Sequence, residues 1–232
     1  MNNIGDVPEM KRKTKHGTQR NDECIQVNTM DDGRDELNLS DFPFAALSDR
    51  VAAERTSLVF EDTGWDKLSK EMVRKRVIIS PSVEFGLPTN RDEEVILGLI
   101  QYSRADGFSG RTVSFIPSEL FRLLGWRKEG RSYSRLDDSL RRWVGVTLYC
   151  ERAWWDEVQK AWVDKHFHLL EDVSVTRSSN GKPGRPHPWS VTWSKVLFQS
   201  FSAGYLRKLD LGIYRVYNSV LLGIVESETS FG

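Results

Sequence analysis

The chain has 232 residues, with 39% hydrophobic, 11% aromatic and 28% charged content and eight Trp. That is the ordinary composition of a soluble globular protein of one or two domains with a core to bury. Lys+Arg and Asp+Glu each number 33, which excludes a uniformly polycationic nucleic-acid binder and shifts the question to how charge is distributed.

Residues 1–40 are polar, carry no hydrophobic leader and show no periodicity. Lys11-Arg12-Lys13-Thr14-Lys15 is a basic run, followed by an acidic stretch around 31–36. Such a segment cannot bury enough apolar surface to offset its ordering entropy, so a disordered, solvated tail is expected. An arm that tracks phosphates is the sharper alternative. Order is expected to begin at Asp41-Phe42-Pro43-Phe44. The runs 58–60 and 77–79 are short, apolar and fit to pair as strands. Residues 81–88 make a turn-rich link. Thr89 or Asn90 then caps a helix near Asp92, whose acidic first turn suits the helix dipole. Val95, Ile96, Leu99, Ile100 and Tyr102 form its apolar face.

A strand over 112–116 leads to Pro117, which suits a helix first turn, and to a helix through 118–124 that Gly125 stops. A second helix begins at Arg131. At about 100° per residue, Tyr133, Leu136, Leu140, Trp143 and Val144 share one arc, while Arg131, Arg135, Asp138 and Arg142 lie opposite. Gly145 is expected to end it in left-handed geometry. The β-rich runs 146–152 and 162–170 read as a hairpin, and after a helix-turn-helix such a hairpin is a wing. Strands at 173–176 and 190–193 flank a Gly/Pro/Ser-rich loop, 178–188, with Lys182 and Arg185. A helix over 195–202, an extended run at 205–209 and a helix over 210–224 complete the chain. The fold class expected is α+β: a disordered tail at 1–40, a winged helix-turn-helix domain with extra β-strands at 41–204, and the start of a second, incomplete winged-helix unit at 205–232. The longest apolar runs, such as 220–225, fall far short of a membrane span. Cys24 and Cys150 read as reduced thiols of a cytoplasmic protein.

Between 111 and 152, nine Lys/Arg stand against five Asp/Glu. A helix with one apolar face and guanidinium groups on the other suits the major groove, where Arg pairs bidentately with guanine. The residues expected to meet double-stranded DNA are Arg127 and Lys128 ahead of the helix, as phosphate contacts, and Arg131, Ser132, Ser134, Arg135, Asp138 and Arg142 on it. Asp138 can accept from a cytosine amino group or orient a neighbouring Arg. Lys160 and Lys165 reach the backbone from the wing. The bland alternative is a solvated helix face. Trp154, Trp155 and Trp162 fit cross-strand packing better than base stacking.

His166-Phe167-His168 places both imidazoles on one strand face. This opens an alternative, a metal-dependent endonuclease that nicks origin DNA with Tyr205, Tyr214 or Tyr217 as nucleophile. No phosphate loop, Cys-pair zinc site or acid/base dyad stands out, so the chain reads as a non-enzyme without cofactor or metal.

Several segments occur in a recognisable order: Pro81-Ser82-Val83-Glu84-Phe85-Gly86-Leu87-Pro88, Glu119-Leu120-Phe121-Arg122-Leu123-Leu124-Gly125-Trp126, Gly130-Arg131-Ser132-Tyr133-Ser134-Arg135-Leu136, Trp154-Trp155-Asp156, Phe167-His168-Leu169-Leu170 and Trp193-Ser194-Lys195-Val196-Leu197-Phe198. Over about 40–222 the chain thereby resembles the bacterial plasmid replication initiator protein A family. The resemblance implies a winged-helix initiator that binds repeated origin sites, recruits host helicase and initiator proteins, and represses its own promoter as a homodimer. Members usually continue past the Tyr214 helix into a second winged-helix unit, whereas this chain stops at Gly232, which reads as a shortened end. A non-DNA interaction module descended from initiators is the remaining alternative.

Overall fold

The computed structural model describes residues 32–42, 44–46, 56–66, 69–177, 187–210 and 214. The basic run at 11–15, Cys24, the loop residues Lys182 and Arg185, Tyr217 and all of the expected helix 210–224 except Asp210 and Tyr214 lie outside them.

In chain order the elements are β1 (Asp32–Glu36), α1 (Leu37–Asp41), β2 (Leu58–Asp66), β3 (Glu71–Ser80), α2 (Asn90–Ala105), β4 (Thr112–Phe115), α3 (Pro117–Leu124), α4 (Gly130–Gly145), β5 (Thr147–Asp156), β6 (Ala161–His168), β7 (Leu170–Ser174), β8 (Trp189–Trp193), α5 (Lys195–Ser202) and β9 (Leu206–Asp210). The result is the α+β class expected. The strands pair antiparallel in three sheets among the described residues: β2-β3-β5-β6, β4-β8-β7 and β1-β9.

The short apolar runs read from sequence do pair, with Leu58 opposite Ile79 and Phe60 opposite Val77. Leu58, Val77 and Ile79 are buried, so one face of this sheet covers the core. The core centres on α2. Val95, Ile96, Leu99, Ile100 and Tyr102 are buried as the periodicity predicts. Gly98 lets α3 approach, because a Cβ there would sit 2.7 Å from Leu120 Cδ1. Pro117 opens α3, and Gly125 closes it at φ 73°, with the Trp126 N–H donating to the Phe121 carbonyl at 2.8 Å.

The structure corrects two expectations. Residues 32–40 are not tail, since β1 pairs with β9 along Asp32↔Asp210 to Glu36↔Leu206. Composition hides this because the buried groups are polar and satisfy one another. The Arg34 N–H donates to Gln101 Oε1 at 2.8 Å, and Gln101 Nε2 donates back to the Arg34 carbonyl at 2.7 Å. Residues 206–210, the partner strand, therefore lie against this N-terminal segment. Gly145 is the last residue of α4 and does not adopt left-handed geometry. It is small for a packing reason: a Cβ there would lie 3.0 Å from Ser82 Oγ. The expected hairpin forms, as β5 and β6, and is joined to a larger sheet. Its lower part, 147–151, pairs with β3 inside the four-stranded sheet.

Candidate nucleic-acid interface

The connection between α3 and α4 is held by its own backbone and by one serine. Ser132 Oγ donates to the Arg127 carbonyl at 2.6 Å, and its N–H donates to the Glu129 carbonyl at 3.0 Å. Ser132 is 5% exposed, so the expectation that it touches DNA is corrected: it ties down the turn. The inner side of α4 is sealed by Leu136, Ser139, Leu140 and Trp143. Tyr133 meets Phe121 edge-on at 4.8 Å between centroids.

The outer side divides in two. At the N-terminal end, Arg127, Lys128, Arg131, Ser134 and Asp138 are all exposed. Arg135 is half-buried, with its guanidinium 5.1 Å from the Trp126 ring centroid. Trp126 itself stacks on Phe121 and donates its Nε1–H to Glu94 at 3.1 Å. Sequence reasoning missed Trp126 as a platform for Arg135. Its place one residue after the helix-ending Gly125 was the available signal.

At the C-terminal end the expectation for Arg142 is corrected. Its Nε and a terminal nitrogen donate to the two Asp92 carboxylate oxygens at 2.7 and 2.8 Å. Asp92 is 1% exposed and sits in the first turn of α2, where its Oδ2 also accepts the Thr89 N–H at 2.7 Å. The Asp92 carbonyl accepts Trp143 Nε1–H at 2.8 Å. Arg142 is therefore an anchor that fixes α4 on α2. Arg141 pairs with Asp137, which also accepts from Arg177 at 2.7 Å.

In the hairpin, Lys160 is exposed but paired with Glu157, and Lys165 is half-buried, 3.9 Å from Asp156. The tryptophans pack across strands, as expected: Trp155 on Trp162 and Trp154 on Phe167, both edge-on. Lys75 lies 3.2 Å from the Trp162 ring centroid.

The two histidines do share an exposed face. His168 Nδ1 is hydrogen-bonded to the Val146 carbonyl at 2.8 Å, and His166 lies against Tyr149, with ring centroids 5.2 Å apart. Among the described residues, no group of three His, Cys, Asp or Glu side chains is placed to hold a metal ion. Burial, reinforced by Asp41, Glu36 and Glu157, pushes the Tyr205 phenol up to about 12. Burial likewise pushes the free Cys150 thiol up to about 12, in keeping with a core residue.

Among the described residues, no helix is long and apolar enough to cross a membrane. Among curated proteins no match is found. Two solved structures are similar: RctB domains 2-3, at 14% identity and TM-score 0.42, covering 70% of this chain and 57% of that one; and selenomethionine-labelled RctB domains 2 and 3, at 14% identity and TM-score 0.44, covering 75% and 65%. The chain thus spans less than two thirds of either. The profile of the family described as Replication initiator protein A matches residues 34–220. A match of that extent runs from within β1 through the α3–α4 pair and the hairpin to β9, and the chain belongs to the replication initiator protein A family.

Proposed function

We propose that the chain binds double-stranded origin DNA sequence-specifically, with α4 as the recognition helix and the β5–β6 hairpin as the wing of a winged-helix arrangement. The observation that carries this reading is the exposed cationic run Arg127, Lys128 and Arg131 at the N-terminal end of a helix whose other face is sealed. Exposed cations ahead of a helix supply phosphate contacts that set register, and the first turns of such a helix reach base edges. Arg131, Ser134, Arg135 and Asp138 are the base-reading candidates, and Arg127 and Lys128 the phosphate contacts. Lys160 braces an adjacent groove once DNA phosphate competes for it with Glu157. Arg142 and Ser132 act behind the surface. Family membership supports the remaining roles: origin repeats as the target, host helicase recruited afterwards, and self-association at the protein's own promoter.

The proposed work is binding without bond cleavage. The test is a titration of an origin duplex and a scrambled duplex over a range of salt. The logarithm of affinity should fall linearly with the logarithm of salt, by about 0.9 per phosphate contact, with the origin preferred throughout. Salt-independent or absent binding would favour a module that no longer reads DNA. A metal-dependent covalent tyrosyl product on single-stranded origin DNA would overturn the non-enzymatic reading.

A further inference from the structure

The hairpin has a break in the middle. The β3–β5 pairing ends at Glu151, and the β5–β6 register shifts between Cys150 and Trp154. Arg152 takes a left-handed φ of 49° there, and its N–H is held by Asp164 at 2.7 Å. Beyond the break, Trp154–Asp156 and Ala161–Val163 form a two-stranded arm that has left the large sheet. A bulge of this kind bends and twists a strand, so something must fix the direction in which the arm points.

Lys75 of β3 lies on the Trp162 ring of the arm, and one further side chain engages the arm through its backbone. Asn38, 1% exposed, faces the open edge of β5 and engages Trp155 as a neighbouring strand would. Its Oδ1 accepts the Trp155 N–H at 2.7 Å, and its Nδ2 donates to the Trp155 carbonyl at 3.2 Å. The second Nδ2 hydrogen donates to Glu36 Oε1 at 2.9 Å. Glu36, fully buried, also accepts from Ser200 Oγ of α5 and, through Oε2, from the Leu39 N–H at 2.8 Å. The amide cannot flip, because a flip would turn its NH2 group toward the Trp155 N–H and its oxygen toward the Trp155 carbonyl. The arm is thus tied to the N-terminal strand and to α5 by a saturated polar cluster. Loss of one member leaves buried partners unsatisfied.

We infer that Asn38, oriented by Glu36 and Ser200, is a positioning residue for DNA binding: it sets the pitch of the arm that carries Lys160. This rests on reading the hairpin as a DNA-contacting wing. The cluster matters for function because an arm misdirected by a few ångströms loses its phosphate contact while α4 keeps its own.

Asn38→Asp is the sharpest variant. It preserves shape but sets a carboxylate oxygen against both the Trp155 carbonyl and Glu36. Ser200→Ala is the milder companion and carries the test if the first variant does not fold. Origin-duplex affinity is measured against salt for the wild type, each variant, Lys160→Ala, and each variant combined with Lys160→Ala. Lys160→Ala in the wild type should weaken binding several-fold and lower the salt slope by about 0.9. Asn38→Asp should produce the same loss of slope, and adding Lys160→Ala to it should change nothing further. Amide exchange at Trp155 should accelerate. A cluster that serves stability alone would shift the unfolding midpoint and leave the salt slope and the full Lys160 effect intact, which overturns the inference. So does a Lys160→Ala protein that binds like wild type; if Arg131→Ala still weakens binding, α4 remains the reader and only the wing's role falls. If neither substitution matters, the reading of α4 itself fails.

Discussion

Arg131 and Arg142 lie on the same stripe of α4, about three turns apart, and the two ends of the helix use that stripe differently. Arg131 is exposed, close in sequence to the exposed Arg127 and Lys128. Arg142 meets the first turn of α2 and closes a bidentate pair on Asp92. The pairing has a physical logic beyond the two charges. Asp92 stands at the positive end of the α2 dipole and Arg142 at the negative end of the α4 dipole, so each helix favours the charge it carries. Amphipathic spacing says which face of a helix is polar. Whether that face meets water, a partner or another part of the chain depends on what the topology lays across it.

The comparison breaks most visibly at Asp92. Asp92→Ala leaves a guanidinium without its buried carboxylate and removes the acceptor of the Thr89 N–H. Truncating one partner of a buried ion pair typically costs about 3–5 kcal/mol, so the urea midpoint should fall steeply. The double variant Asp92→Ala/Arg142→Ala should be less destabilised than the two single changes added together. At the other end, Arg131→Ala should leave the unfolding midpoint within about 0.5 kcal/mol of wild type, as an exposed substitution does. It should weaken origin binding by about 1–3 kcal/mol and relax preference at one base position. A stable Asp92→Ala protein, or an Arg131→Ala protein with intact affinity and preference, would erase the distinction between anchor and reader.

Much of the scaffold around α4 was readable in advance. Pro117 and Gly125 bracket α3 as their backbone chemistry dictates, the apolar arc Leu136, Leu140 and Trp143 is buried, and 195–202 is the α5 helix with Ser194 capping Leu197 at 3.2 Å. What could not be read depends on groups far apart in sequence. Arg142 and Asp92 are 50 positions apart, and β1 finds β9 only after 170 residues of chain. Ser132 looked like a contact because its position on the helix is right for one. Its hydroxyl turns inward because the carbonyl of Arg127, exposed by the tight connection, needs a donor. Local pattern reports propensity and face, while long-range pairing of polar groups leaves almost no trace in composition.

Glu36 sharpens the comparison from the acid's side. Like Asp92 it is buried, but its partners are the neutral donors Asn38, Leu39 and Ser200. Burial therefore pushes it up to about 7 from an ordinary 4.5; burial, with the Asp35 and Glu94 charges, also pushes Glu93 up to about 7, and burial pushes Asp35 from 3.8 up to about 6 against the pull of Arg207. For an acid whose folded pKa is raised, the folded chain holds a proton that the unfolded chain has released. Stability from these groups is fully present below their unfolded values and is lost as pH rises through the folded ones. Unfolding free energy should decline between about pH 4.5 and 7, and Glu36→Gln should remove one proton's share, roughly 1.4 kcal/mol per pH unit at the steepest part. A Glu36→Gln protein with the wild-type pH profile would mean that the carboxylate remains charged in the fold despite its neutral partners.

The smallest effect belongs to Lys128. It is exposed, precedes the helix and sits beside Arg127. A phosphate contact contributes affinity without sequence information, so Lys128→Ala should weaken origin and scrambled duplexes by the same factor and lower the salt slope by about 1. Arg131→Ala, in contrast, should change the ratio between the two duplexes. The ratio separates a residue that holds the backbone from one that reads a base, even where the two lose similar affinity at a single salt concentration. Should Lys128→Ala alter the ratio instead, the start of α4 would enter the groove further than its first turn, and the boundary between positioning and reading would move ahead of Gly130.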